Sequence, residues 1–193
     1  MKSDQLRFYI VRPALALLGP SLSTRFAEDL LIATCAQESR LGEYVHQVNG
    51  PALGIYQIEP VSLGDLWLWV QHHRPRWDLA IAAAGVDPAA VSLASVEDAV
   101  IYNLRFATLI ARLFYYRVPM ALPIYTTIPN LWEYYKTFYN TSLGAATLAE
   151  FETSLRLTDI SGLGATRSSS VGGISTISTT TVETSIPSQS QNP

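Results

Sequence analysis

Apolar residues in the first 159 positions recur at three- and four-residue spacing between Gly and Pro breaks, and no segment sustains the alternation of a half-buried strand. That periodicity predicts a mainly α-helical domain. Over residues 23–41, Leu30, Leu31, Thr34, Cys35, Glu38 and Leu41 share one helical face, which sets the Glu38 carboxylate beside an apolar stripe. Residues 42–62 carry Asn49-Gly50-Pro51 and Gly54 and read as a loop; a short helix over 63–70 follows, with Trp67 and Trp69 in it. A long helix over 96–116, with Ser95 as its cap and Asp98 three residues on, is expected to form the centre of the core. Pro119, Pro123 and Pro129 break the chain before a short aromatic helix over 131–138, which Tyr139-Asn140-Thr141 ends. A last helix over 147–157 opens on Thr147 and Glu150 at capping-box spacing.

The chain divides by composition. From Ile160 onward Ser, Thr and Gly dominate, so residues 1–159 form the expected domain and 160–193 a Ser/Thr-rich tail or tether. At 48% hydrophobic residues over 193 positions, one sizeable core is affordable in length and content. A formal charge of -3 supplies no basic stripe for phosphates, which argues against nucleic acid and anionic membranes as ligands. No apolar run approaches the roughly 18 residues of a membrane span, and Asp4, Arg7 and Arg12 spoil the N-terminal stretch as a secretory signal. Cys35 is the single cysteine, read as a buried and inert thiol. His46, His72 and His73 lack the spacing of a zinc peptidase, so no metal site is expected. His72-His73-Arg74-Pro75-Arg76 reads as a small exposed basic turn.

Three separated segments carry the chemical signal. They are Gln37-Glu38-Ser39-Arg40-Leu41-Gly42, then Gly50-Pro51-Ala52-Leu53-Gly54-Ile55-Tyr56-Gln57-Ile58-Glu59-Pro60, then Phe138-Tyr139-Asn140-Thr141. In order and spacing they resemble the soluble lytic transglycosylase branch of the lysozyme superfamily, whose members pair Glu-Ser at a helix end with a Gly-hydrophobic-x-Gln-hydrophobic-x-Pro loop and a later Tyr-Asn pair. Gln57 stands 19 positions after Glu38, about one more than is common in that family. Asn103-Leu104 also resembles the family's Asn-hydrophobic segment, and the likeness spans roughly residues 26–155. The wording around Ala36-Gln37-Glu38-Ser39 and Gly50-Pro51-Ala52-Leu53-Gly54 is similar to that of small bacteriophage members, some lysins and some virion components.

The resemblance implies cleavage of peptidoglycan at the bond between N-acetylmuramic acid and N-acetylglucosamine, without a cofactor. It makes Glu38 the general acid and base, a role that fits a carboxyl whose proton affinity is raised on an apolar edge. It also implies that Ser39 orients Glu38 or bonds the sugar, that Gly54 admits a close glycan, and that Tyr56, Gln57, Tyr139 and Asn140 line the substrate. Gln57 has both a donor and an acceptor for an acetamido group. Hydrolysis requires a second carboxylate; Glu59 is the main candidate, with Glu43 and Asp65 behind it, and water and the sugar's own hydroxyl stay open as nucleophiles. After the Tyr-Asn pair, Thr141, Ser142 and Leu143 precede Gly144 where the family often has Ala and Gly at once. The expected setting is a virion or lysis system that delivers the protein to the wall, with the tail as a contact for other virion or tail proteins. The alternative is a structural tail or internal virion protein with little turnover.

Overall fold

Thr24 opens the helix that carries the candidate acid: its hydroxyl accepts the Ala27 N–H at 3.1 Å, and α3 then runs Arg25–Ser39. The computed structural model describes residues 1–73, 75, 78, 79, 81, 82, 85, 92–141 and 144–160. Ahead of α3, α1 (Ser3–Leu6) leads through a π-helical stretch, Arg7–Val11, into α2 (Arg12–Leu17). Pro13 explains that widened turn. It has no N–H to return to the Tyr9 carbonyl and its ring crowds that oxygen, so the preceding turn takes in an extra residue. Arg40 and Leu41 both take left-handed φ, of 50° and 59°, which stops α3 two residues short of the expected 41.

Helix α4 (Pro60–Gln71) starts earlier than the apolar pattern indicated because Pro60 supplies a ready first helical turn. The single helix expected over 96–116 is two: α5 (Leu93–Tyr102) and α6 (Leu104–Tyr116). Asn103 leaves helical geometry at φ -108° and ψ 96°, and its side chain caps α6 by accepting the Phe106 N–H at 3.0 Å. Ser92, not Ser95, caps α5; Ser95 is the reciprocal partner three residues in. Helix α7 (Ile128–Tyr135) continues into a second π-helical turn, Lys136–Asn140, so the helical run reaches two residues past the expected 138 and ends at Asn140, with Thr141 as its cap. Thr147 and Glu150 close the expected capping box of α8 (Leu148–Leu157).

The fold is mainly helical. Among the described residues the only β pairing is two isolated antiparallel bridges, His46 with Leu53 and Leu53 with Ile58. Helices α3 and α6 share the centre that the sequence assigned to the later segment alone. α3 is buried over most of its length, from Phe26 to Ala36, between the first π turn, α6, α7 and α8. Arg7 anchors the N-terminal segment to α3 through Asp29 at 2.6 Å and Glu28 at 3.2 Å, and Arg12 adds a 2.9 Å pair with Glu28. No helix among the described residues is long and apolar enough to cross a membrane. Ile160 still packs against the core, while the rest of the Ser/Thr-rich segment, with Arg74 and Arg76 of the basic turn, lies outside the described residues.

Candidate active site

Glu38 sits in the last turn of α3, half-buried, where the chain is about to reverse through Arg40 and Leu41. The Tyr135 hydroxyl donates to its Oε1 at 2.6 Å. Burial is the strongest influence on this carboxyl and pushes it up to about 7; the Tyr135 hydrogen bond pulls the other way, and the negative charge of Glu59 adds to the rise. An open cleft of about 750 Å³ lies over it, with Gln57, Glu59, Tyr139, Asn140 and Tyr44 in its walls. A carboxyl that is half protonated at neutral pH can give a proton to a ligand in that cleft and take one back.

The loop that builds the facing wall is fastened by residues that do not themselves reach the cleft. Ser39 is fully buried: its hydroxyl donates to the carbonyls of Ile55 and Cys35 and accepts the Gly42 N–H at 2.9 Å. It ties the end of α3 to the loop and cannot bond a sugar, which corrects that part of the expectation. Tyr56 is likewise fully buried, with its hydroxyl 3.1 Å from that of Thr108, and is a core residue instead of a substrate contact. Gly54 adopts φ +68°, and a Cβ there would collide with the Val100 carbonyl of α5. The close approach that demands glycine is therefore to a helix backbone and not to a glycan.

Gln57, at φ +48°, donates its backbone N–H to the Gly54 carbonyl at 3.0 Å and its side-chain NH₂ to the same oxygen at 2.7 Å. The amide oxygen is left as its acceptor at the cleft wall. Tyr139 also lines the cleft, but its hydroxyl donates to the Tyr56 carbonyl at 2.7 Å, so its ring and not its polar tip is on offer. Asn140 lines the cleft and accepts from Lys136 Nζ at 2.6 Å. Gly144 must be glycine, because a Cβ would run into the Asn140 side chain and carbonyl. Glu59 is exposed at the cap position of α4 and lines the same cleft. Glu43 instead pairs with Arg40 at 3.7 Å and lines a separate hollow, and Asp65 is exposed on α4 away from the cleft.

Tyr135 is the contact that motif reading passed over. It lies four residues before Tyr139, and the two rings stack at 6.0 Å, so one helical face carries both. That spacing was the available signal. Cys35 is fully buried, and burial pushes its thiol up to about 12. Among the described residues no group of three His, Cys, Asp or Glu side chains is placed to hold a metal. Comparison with protein-family models, curated proteins and solved structures finds no match for this chain.

Proposed function

We propose that this chain is a peptidoglycan-cleaving enzyme of the soluble lytic transglycosylase type, with a lysozyme-like helical domain and Glu38 as its acid and base. The reading rests on one observation: a carboxyl raised to about 7 by burial, at the wall of an open cleft that also holds Gln57, Glu59, Tyr139 and Asn140. In the proposed reaction Glu38 gives its proton to the glycosidic oxygen as the bond to the muramic acid C1 breaks, and N-acetylglucosamine leaves with that proton on O4. The Glu38 carboxylate then takes the proton of the muramic acid C6 hydroxyl while O6 bonds C1, closing an anhydro ring. Gln57 presents an amide oxygen suited to an acetamido N–H. Glu59, in the same cleft, is the group that would activate water if the outcome were hydrolysis.

The likeness of the Glu38 and Gly54 segments to bacteriophage members supports delivery to the wall by a phage particle or lysis system. Digestion of purified peptidoglycan with the full chain, followed by mass analysis of the products, tests the proposal. Anhydro-muramyl ends are the expected result. Reducing ends would assign hydrolysis, and an absence of fragments would overturn the enzymatic reading in favour of a wall-binding or structural virion part.

A further inference from the structure

Two glutamines in the wall of the Glu38 cleft are held opposite ways round. Ala52 is buried and its N–H needs an acceptor, which Gln47 Oε1 supplies at 3.2 Å. A second tie, from the Gln47 N–H to the Ala52 carbonyl at 2.9 Å, fixes the backbone from which that side chain starts. A Cβ on Gly50 would run into the same amide, so glycine there leaves the side chain its place. Because a backbone N–H only donates, Gln47 gives up its oxygen to Ala52 and has its NH₂ left to offer, on an exposed side chain at the cleft wall. Gln57 is fixed the other way, since the Gly54 carbonyl takes its NH₂ at 2.7 Å and leaves the oxygen. The antiparallel bridges join His46 to Leu53 and Leu53 to Ile58, which puts Gln47 and Gln57 on the two segments that flank residues 52–54. One donor and one acceptor thus stand on either side of this strip, each oriented by a backbone group.

A secondary amide points its C=O and its N–H in opposite directions, so a site that reads both needs a donor on one side and an acceptor on the other. We propose that Gln47 is a specificity-determining residue of the cleft: its NH₂ donates to the carbonyl of the 2-acetamido group whose N–H the Gln57 oxygen accepts. The ligand class is an N-acetylated amino-sugar glycan. A glycan with a hydroxyl in place of the acetamido group leaves both amides without a partner. The inference rests on the glycan reading proposed above for its choice of ligand, and not on turnover. Asn140 is the other side-chain amide at this cleft among the described residues, with its oxygen taken by Lys136 at 2.6 Å, and is the rival donor.

The test is the binding of two neutral β-1,4 trisaccharides, tri-N-acetylchitotriose and cellotriose, to the full chain, followed by nitrogen-15 NMR. Wild-type protein is expected to prefer the acetylated sugar by about tenfold or more, with the Gln47 side-chain NH₂ resonances moving for that sugar and not for cellotriose. Gln47→Glu keeps an acceptor for the Ala52 N–H and removes only the donor. It is expected to weaken tri-N-acetylchitotriose about tenfold and to leave cellotriose where it was. Gln47→Met, which adds no charge, is expected to lose the same preference, and it decides alone should Gln47→Glu fail to fold. Equal affinity of the wild type for both sugars, binding of neither, or a preference that survives in either folded variant overturns the proposal. A preference kept in those variants and lost in Asn140→Ala would make Asn140 the donor instead. Because binding is read apart from cleavage, the two readings fail separately: wild-type protein that prefers the acetylated sugar yet releases no fragments from peptidoglycan keeps this assignment and loses the enzymatic one.

Discussion

Replacing Glu38 with Gln keeps the side chain's shape and an acceptor for the Tyr135 hydroxyl, and removes only the titrating proton. In the folded chain the carboxyl is raised from 4.5 to about 7, so between those values the native state holds a proton that the unfolded chain has released. Wild-type stability therefore falls as pH rises through that window and is level above it. At about 1.36 kcal/mol per pH unit the full difference is about 3 kcal/mol, and water in the open cleft reduces it to about 2 kcal/mol. Urea unfolding at about pH 4.5 and about pH 8 reads this directly. The two proteins should be equally stable at the lower pH, with Glu38→Gln ahead by about 2 kcal/mol at the higher. A stability difference that does not change with pH would refute the claim that burial keeps this acid protonated. The same variant is expected to release no glycan fragments, and retained cleavage would remove Glu38 from the reaction.

Ser39→Ala should cost about 1 to 3 kcal/mol in urea unfolding, because it strands the buried Ile55 carbonyl and Gly42 N–H, and cleavage should fall with the loop's order instead of with sugar contact. Gly54→Ala should destabilise by about 2 kcal/mol or more, read as a lowered Tm, since both its positive φ and the Val100 carbonyl oppose a Cβ. Burial works to raise the Glu28 carboxyl, but Arg12 and Arg7 outweigh it and hold it below 4.5. The stability it contributes is thus present above 4.5 and lost as pH falls through the lowered value, and circular dichroism should show acid unfolding there. Glu28→Gln should cost about 1 kcal/mol at neutral pH, because Arg7 keeps its 2.6 Å pair with Asp29 and the pair lost by Arg12 is half-exposed.

Helix α8 was legible because Thr147 and Glu150 act on their own backbone, and so was α3, whose apolar spacing is local to one segment. The break at Asn103 was hidden because the apolar stripe of α5 continues in phase into α6, and an asparagine reads equally as an interior residue and as a cap. Glu38, Gln57, Tyr139 and Asn140 were singled out by motif and do meet at one cleft. The roles expected of Ser39, Tyr56 and Gly54 misread what sits opposite them. Their partners are Ile55, Thr108 and Val100, and the last two are contacts from helices far along the chain that no local pattern announces. Tyr135 was missed because its partner Glu38 lies 97 residues earlier, beyond the reach of any local pattern.

The place of Glu38 within α3 has an electrostatic consequence of its own. The last turn of a helix exposes carbonyl oxygens, and the summed peptide dipoles put partial negative charge there. A carboxylate at that end is opposed by about 0.3 to 1 kcal/mol, whatever fills the space above it. Two left-handed residues immediately after Ser39 keep the helix from extending past this point, so the acid stays at the disfavoured pole. Solvent entering or leaving the cleft changes one contribution to its proton affinity, while the backbone supplies another that does not vary with occupancy.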